Sequence, residues 1–127
     1  MIKRLTSSHI PKAVGSYSAA SLVGKLIFTS GQLPINAESG TIDKGTIEWQ
    51  VEQSLKNIKA ILEDNESSMS HIIKTTVYLS DINDFAAFNK VYQSFFDGNF
   101  PARTAFQVGA LPMGALVEIE AIAEVIE

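Results

Sequence analysis

An α+β fold, with two helices laid on one face of a mixed sheet, is predicted by three observations on this 127-residue chain. Two segments repeat their apolar residues at intervals of three and four, the period of an amphipathic helix. Several other segments are β-branched or alternate with period two, the signature of strands. Their order along the chain reads β-β-α-β-α-β-β, with no internal repeat or low-complexity stretch between them, so residues 1–127 are expected to form a single domain.

The first strand leads in from Tyr17 to Leu22, and Val23-Gly24-Lys25 turns it into a second, Leu26-Ile27-Phe28-Thr29. From Gly31 to Gly45 the chain is rich in Pro, Asn, Ser and Gly, which predicts a loop. At Thr46, a plausible helix cap, the period changes. Ile47, Val51, Leu55, Ile58 and Leu62 then define the buried stripe of a helix whose outer face carries Glu48, Glu52, Lys56 and Lys59. The stretch His71–Leu79, HIIKTTVYL, is β-branched and aromatic and predicts a strand. Asp81 or Asn83 can cap a second helix with Phe85, Phe88, Tyr92 and Phe95 on its apolar stripe, ended by Asp97-Gly98-Asn99. Strands over Ala102–Val108 and Leu116–Val125 close the chain around the turn Gly109–Gly114. Helices on one face leave the other sheet face bare in a monomer, which predicts an oligomer that covers it.

Composition excludes several functions. Hydrophobic residues make up 46% and charged residues 19%, ordinary for a globular domain, and the net charge is −4. Nucleic-acid binding needs clustered Lys and Arg, whereas the ten basic residues here are scattered. No apolar run approaches the ~18 residues of a membrane helix. The N-terminus MIKRLTSSHIP lacks the apolar segment of a signal peptide, so a cytoplasmic protein is expected. Zero cysteines exclude disulfides, thiolate catalysis and Cys-based metal sites. His9 and His71 lie far apart without metal-ligand spacing, and there is no phosphate loop or dinucleotide glycine pattern.

One residue breaks the apolar logic of its segment. In FPARTAFQV, Phe100 to Val108, Arg103 places a permanent charge inside a strand, where it must be paired or serve an anionic ligand. Alternation puts Arg103, Ala105 and Gln107 on one face, with Ala102, Thr104, Phe106 and Val108 on the other. Packing the apolar set under the helices would turn Arg103 toward the bare face. In the last strand Val117, Ile119, Ala121 and Ala123 form the helix-side set, and Glu118, Glu120, Ile122 and Glu124 face outward. If the last two strands close as a simple hairpin, Val108 lies opposite Val117 and Arg103 opposite Ile122. Glu118 is then four residues away, roughly 13 Å. A structural ion pair or solvated edge carboxylates would equally suit this pattern. Ser30 in TSGQ is not in a nucleophile elbow and has no evident base, though a Ser-Gly pair offers backbone amides to an anion. Tyr17, after Gly15-Ser16, reads as packing or as a site hydroxyl.

At these residues the chain resembles the RidA/YjgF family of enamine/imine deaminases. FPARTAFQV looks like the family signature. AVGSYSAA, LIFTSGQLPIN, QSLKNIKAILE, IIKTTVYLSDINDFAAFNKVYQSFF and LPMGALVEIEAIA resemble further family segments in the right order, covering nearly the full length. The resemblance implies a chorismate-mutase-like fold assembled as a homotrimer with sites in the clefts between subunits. It implies hydrolysis of 2-imino acids and their 2-enamine tautomers, such as 2-aminoacrylate and 2-aminocrotonate, to 2-keto acids and ammonia, with no cofactor or metal. Arg103 matches the arginine that clamps the substrate carboxylate, Tyr17 the site tyrosine, and Glu118 the acid that handles the attacking water. Ser30 and Gly31 match the strand-end pair lining the pocket, and Phe88 and Asn89 the helix positions of its wall. Ala105 stands where many relatives carry cysteine, and Ser16 where a proline is common. Because roughly 13 Å along one sheet face is too far to enclose a three-carbon acid, each site is expected to combine Arg103 of one chain with Glu118 and Tyr17 of another laid against the bare face. A non-catalytic trimer that senses small carboxylates is the rival from a different class. RNA cleavage, attributed to some relatives, is disfavoured by the acidic balance, and chorismate mutation would want more cationic groups.

Overall fold

The computed structural model describes residues 1–126. Its core is a six-stranded sheet in the order β1-β2-β3-β6-β4-β5. The strands are β1 (Lys3–Leu5), β2 (Ala20–Val23), β3 (Leu26–Thr29), β4 (Ile72–Leu79), β5 (Ala102–Gln107) and β6 (Val117–Glu124). The helices are α1 (Ile47–Glu63) and α2 (Phe85–Gln93). The sheet is mixed because α2 carries the chain from β4 across to β5. A crossover helix returns the chain parallel, and the remaining neighbours are antiparallel.

Both helices lie where their periods place them. Thr46 caps α1, its hydroxyl accepting from the Trp49 amide, and the stripe from Ile47 to Leu62 is buried. That stripe meets Val117, Ile119, Ala121 and Ala123 of β6, together with Ile27, Val77 and Leu79, in one core. Asp81 caps a short 3-10 turn, Ile82–Asp84, that leads into α2, and Phe88 and Tyr92 anchor α2 in the core. Phe95 lies beyond the end of the helix.

Three expectations are corrected. A short edge strand, β1, pairs with β2, and β2 begins at Ala20, so Tyr17 precedes the sheet instead of opening it. The last two strands do not form a hairpin. β6 inserts between β3 and β4, so Arg103 lies beside Thr75 of β4 and Ile122 lies beside Phe28 of β3. The faces of β5 are also reversed. Register neighbours share a face, and Arg103 neighbours Thr75, which is fully buried under α2. Arg103, Ala105 and Gln107 therefore face the helices, and Phe106 faces the open side against Tyr78. As an edge strand β5 does not supply the central core, so its apolar set is not drawn under the helices. The open face keeps Val23, Leu26, Phe28 and Phe106 exposed.

Candidate functional site

The reversal gives Arg103 a specific seat. Its Nη1 donates to Oδ1 of Asn89 on α2 at 2.7 Å. Its guanidinium lies 5.2 Å from the Phe85 ring centroid, 5.6 Å from Phe88 and 4.9 Å from Tyr92. Residues 85, 88, 89 and 92 share a helix face by the three-and-four spacing, so α2 presents one aromatic and amide surface to the arginine. The Tyr92 hydroxyl is fixed by Thr75 at 2.7 Å, and burial raises its pKa above the ordinary value. Ring quadrupoles hold a cation by roughly 0.5–1 kcal/mol each at an exposed site without neutralising it. Among the described residues no carboxylate of the same chain pairs with Arg103. The arginine instead borders a cleft of about 330 Å³ with Asn89, Tyr92, Gln93, Phe100 and Pro101. Its planar fork is positioned, charged and available to a carboxylate.

Glu118 sits in a second cluster. After β3 the chain continues beside β6, where the Gln32 amide donates to the Ile119 carbonyl at 2.7 Å and the Ile119 amide returns the bond at 3.2 Å. This carries Ser30 and Gly31 past Glu118. A Cβ on Gly31 would lie 2.9 Å from Cδ of Glu118, so only glycine lets the carboxylate fold down onto this backbone. The Ser30 hydroxyl donates to the Ser18 carbonyl at 2.6 Å and its amide to Ala19, tying the pair to the segment after Tyr17. Tyr17 is exposed and borders a small crevice with Ile10, Gly31 and Gln32. Glu118 is half-buried. Burial first, then the charge of Glu120, raises its carboxyl above the ordinary glutamate value. A proton acceptor tuned in this direction is a stronger base than a surface glutamate.

The nominated residues thus fall into two groups. Arg103, Asn89 and Phe88 lie together on the helix side at the β5 edge, with Phe88 fully buried behind the guanidinium and not in the cleft wall. Ala105 is half-buried on the same face and neighbours Val77. Glu118, Gly31, Ser30 and Tyr17 lie at the other cluster. The expectation that Arg103 and Glu118 share a sheet face is overturned. They stand two strands apart, since Arg103 neighbours Thr75 and Thr75 neighbours Ala121. That separation is roughly 10 Å across the sheet and roughly 10 Å along it, with the side chains on opposite faces.

Several contributors escaped the sequence reading. Asn57 on α1 donates to the Leu33 and Ile35 carbonyls and so fixes the loop beyond Gly31. Gln50 bonds the Leu116 amide at the start of β6. Their signal was a buried amide within an otherwise apolar helix stripe. Tyr78 on β4 donates its hydroxyl to Glu120, and its signal was a polar ring on the outward alternation of HIIKTTVYL. Among the described residues no three His, Asp or Glu converge as metal ligands do.

Gly31 permits a direct test. Gly31→Ala is expected to push aside the flexible end of Glu118, which costs little stability, while moving the carboxylate from its seat. The melting temperature should change by only a few degrees, whereas any reaction that uses this carboxylate should slow on the order of 10²-fold from its misplacement. An equally active Gly31→Ala protein would show that the seat of Glu118 is immaterial.

A family model described as Endoribonuclease L-PSP matches residues 7–125. A 2-iminobutanoate/2-iminopropanoate deaminase of Rattus norvegicus is 45% identical over 121 residues, covering 95% of this chain and 88% of the relative. A Lactococcus lactis protein, AldR, whose name marks it as a candidate regulator, is 45% identical over 98% of both chains. The crystal structure of E. coli TdcF with bound serine superposes with a TM-score of 0.93 at 39% identity, covering 98% of this chain and 99% of that one.

Proposed function

The chain belongs to the Endoribonuclease L-PSP family, the RidA/YjgF group of the sequence reading, and from that membership we propose that it hydrolyses 2-imino and 2-enamine acids to 2-keto acids and ammonia. The observation that carries this reading is Arg103: a guanidinium seated by Asn89 and three rings, open to a cleft and paired with no carboxylate among the described residues. A bound 2-imino acid would supply the missing carboxylate. The deaminase relative and the serine held by TdcF support an amino-acid-like ligand.

The proposed reaction needs one water and no cofactor. Arg103 fixes the substrate carboxylate by two parallel hydrogen bonds, which holds the C2 imine carbon toward the water. Glu118 accepts a proton as the water oxygen bonds to C2, and the π pair of the C=N bond moves to nitrogen. Glu118 passes its proton to that nitrogen to give the carbinolamine, the nitrogen takes a second proton from solvent, and the C–N bond breaks as the hydroxyl gives its proton to Glu118, releasing ammonia and forming the C2 carbonyl. The Tyr17 hydroxyl and backbone groups of the Ala105 and Ser30-Gly31 segments would bind the departing nitrogen. Positioning and one general base, on the order of 10²–10⁴-fold for the latter, suffice for imines that already hydrolyse in water. The proposed assembly is a cytoplasmic homotrimer, with Arg103 of one subunit facing Glu118 and Tyr17 of the next. The opposite-face placement of these residues supports it, because one chain cannot close both groups around a three-carbon acid.

The direct test couples the protein to an amino-acid oxidase that generates the imine and follows keto-acid release. Acceleration over buffer supports deamination. Stoichiometric binding without acceleration would favour the sensor reading that the AldR relative suggests.

Two pH effects follow from the raised Glu118 carboxyl. As a base it works only ionised, so the acid limb of kcat/KM is expected above the ordinary glutamate value of 4.5. A folded-state pKa above the unfolded one means the folded protein holds this proton more tightly. That contribution to stability is complete below about 4.5 and is lost as the pH rises through the folded value. Glu118→Gln is therefore expected to be at least as stable as wild type at pH 7 while losing turnover. Urea denaturation checks the first outcome and the keto-acid assay the second. A destabilised but active variant would contradict both.

A further inference from the structure

Glu118 has a second carboxylate beside it. Glu118 and Glu120 lie on the same face of β6, two residues apart and roughly 6.6 Å along the strand, and both are half-buried. Tyr78 of β4 stands directly beside Glu118 in the register, yet its hydroxyl donates to Oε1 of Glu120. The ring is held from the other side by Phe106 of β5, edge-on, with centroids 5.4 Å apart and planes at 81°. The Glu120 bond pushes the phenol up to about 12, so Tyr78 remains a proton donor across the neutral range.

We propose that Tyr78 is a positioning residue: by donating to Glu120 it keeps that carboxylate from sharing a proton with Glu118, and leaves Glu118 free to accept the proton of the reaction. This rests on the reading of Glu118 as the base. Two carboxylates free to swing together on a half-buried surface bind one proton jointly and strongly, and a shared proton would occupy the lone pairs that a water must reach. The other chargeable groups on this face are few. β6 adds Glu124, β4 adds Lys74 at the end away from Tyr78, the approach to Gly31 adds Tyr17, and β1 adds Arg4, three strands from β6 and bonded to Ser21. β5 presents Ala102, Thr104 and Phe106, β3 presents Leu26 and Phe28, and β4 adds Thr76 beside Glu120 in the register; among the described residues the hydroxyl bonded to Glu120 is that of Tyr78. The Tyr78–Glu120 bond is therefore what distinguishes the two acids.

Carbon-13 NMR titration of the glutamate carboxyls tests the proposal without requiring turnover. In Tyr78→Phe, Glu118 is expected to share a proton with Glu120, raising its midpoint by about half a unit or more. The acid limb of kcat/KM should move by the same amount. Adding Glu120→Gln should abolish that rise, and Glu120→Gln alone should lower the Glu118 midpoint by removing a like charge. An unchanged Glu118 midpoint in folded Tyr78→Phe overturns the proposal, as does a rise that persists without Glu120. A fully active Glu118→Gln protein would instead count against the base reading, while the carboxyl midpoints still decide whether Tyr78 separates the pair.

Discussion

Arg103→Lys is expected to retain fold and assembly and to lose activity on the order of 10²-fold or more, the effect of misplacing a reacting group. Lysine keeps the positive charge, so a site that needed only a cation would tolerate it. Two features of the Arg103 seat are specific to a planar fork. Nη1 is committed to Asn89 at 2.7 Å, leaving the remaining N–H groups as a directed set. The flat guanidinium lies against Tyr92 at 4.9 Å with Phe85 and Phe88 close by. An ammonium can neither stack in this way nor grip both carboxylate oxygens while bonded to Asn89. The loss should appear with every carboxylate substrate, because the defect lies in holding the group they share. Arg103 is exposed at an edge strand, so circular dichroism and solution mass should match wild type. Near-normal turnover by Arg103→Lys would remove the carboxylate-clamp reading.

The second large effect concerns which chains build a site. Arg103→Ala and Glu118→Ala proteins are each expected to be inactive alone. Unfolded, mixed in equal amounts and refolded together, they should recover roughly a quarter of wild-type activity if sites are shared between subunits of a closed ring. Each site then draws its arginine and its glutamate from different chains, and half of each are intact. A site built within one chain would recover nothing, since every chain lacks one of the two groups. Mass spectrometry of the mixture must show hetero-oligomers for the result to count. Hetero-oligomers without activity would refute the shared site, and monomeric wild-type protein with full activity would refute it equally.

Much of this architecture was legible in local pattern. The stripe from Ile47 to Leu62 requires a helix with one buried face, and Thr46 supplies its cap. The alternation of Val117, Ile119, Ala121 and Ala123 determines which face of β6 meets that helix. Because Glu118 and Glu120 take the opposite parity, their placement on the open face follows from the same alternation. These are short-range consequences of backbone period and of the gain from burying apolar surface, and they need no knowledge of strand neighbours.

Arg103 shows where local pattern stops. Parity alone says that Arg103, Ala105 and Gln107 share a face, and it says so correctly. Which face that is depends on what lies beside β5, and β5 is joined to β4 by a crossover helix instead of to β6 by a turn. An edge strand contributes little to the central core, so the preference for packing Phe106 inward is weak. It is outweighed by the surface that α2 offers to the guanidinium and by the Tyr78 ring waiting for Phe106 on the other side. The residue types suited to carboxylate clamping and proton transfer are therefore written in the chain. Their separation onto opposite faces, with Gly31 yielding space to Glu118 and Tyr78 holding Glu120, arises from strand order, because register between segments distant in sequence is set by the packing of the whole domain.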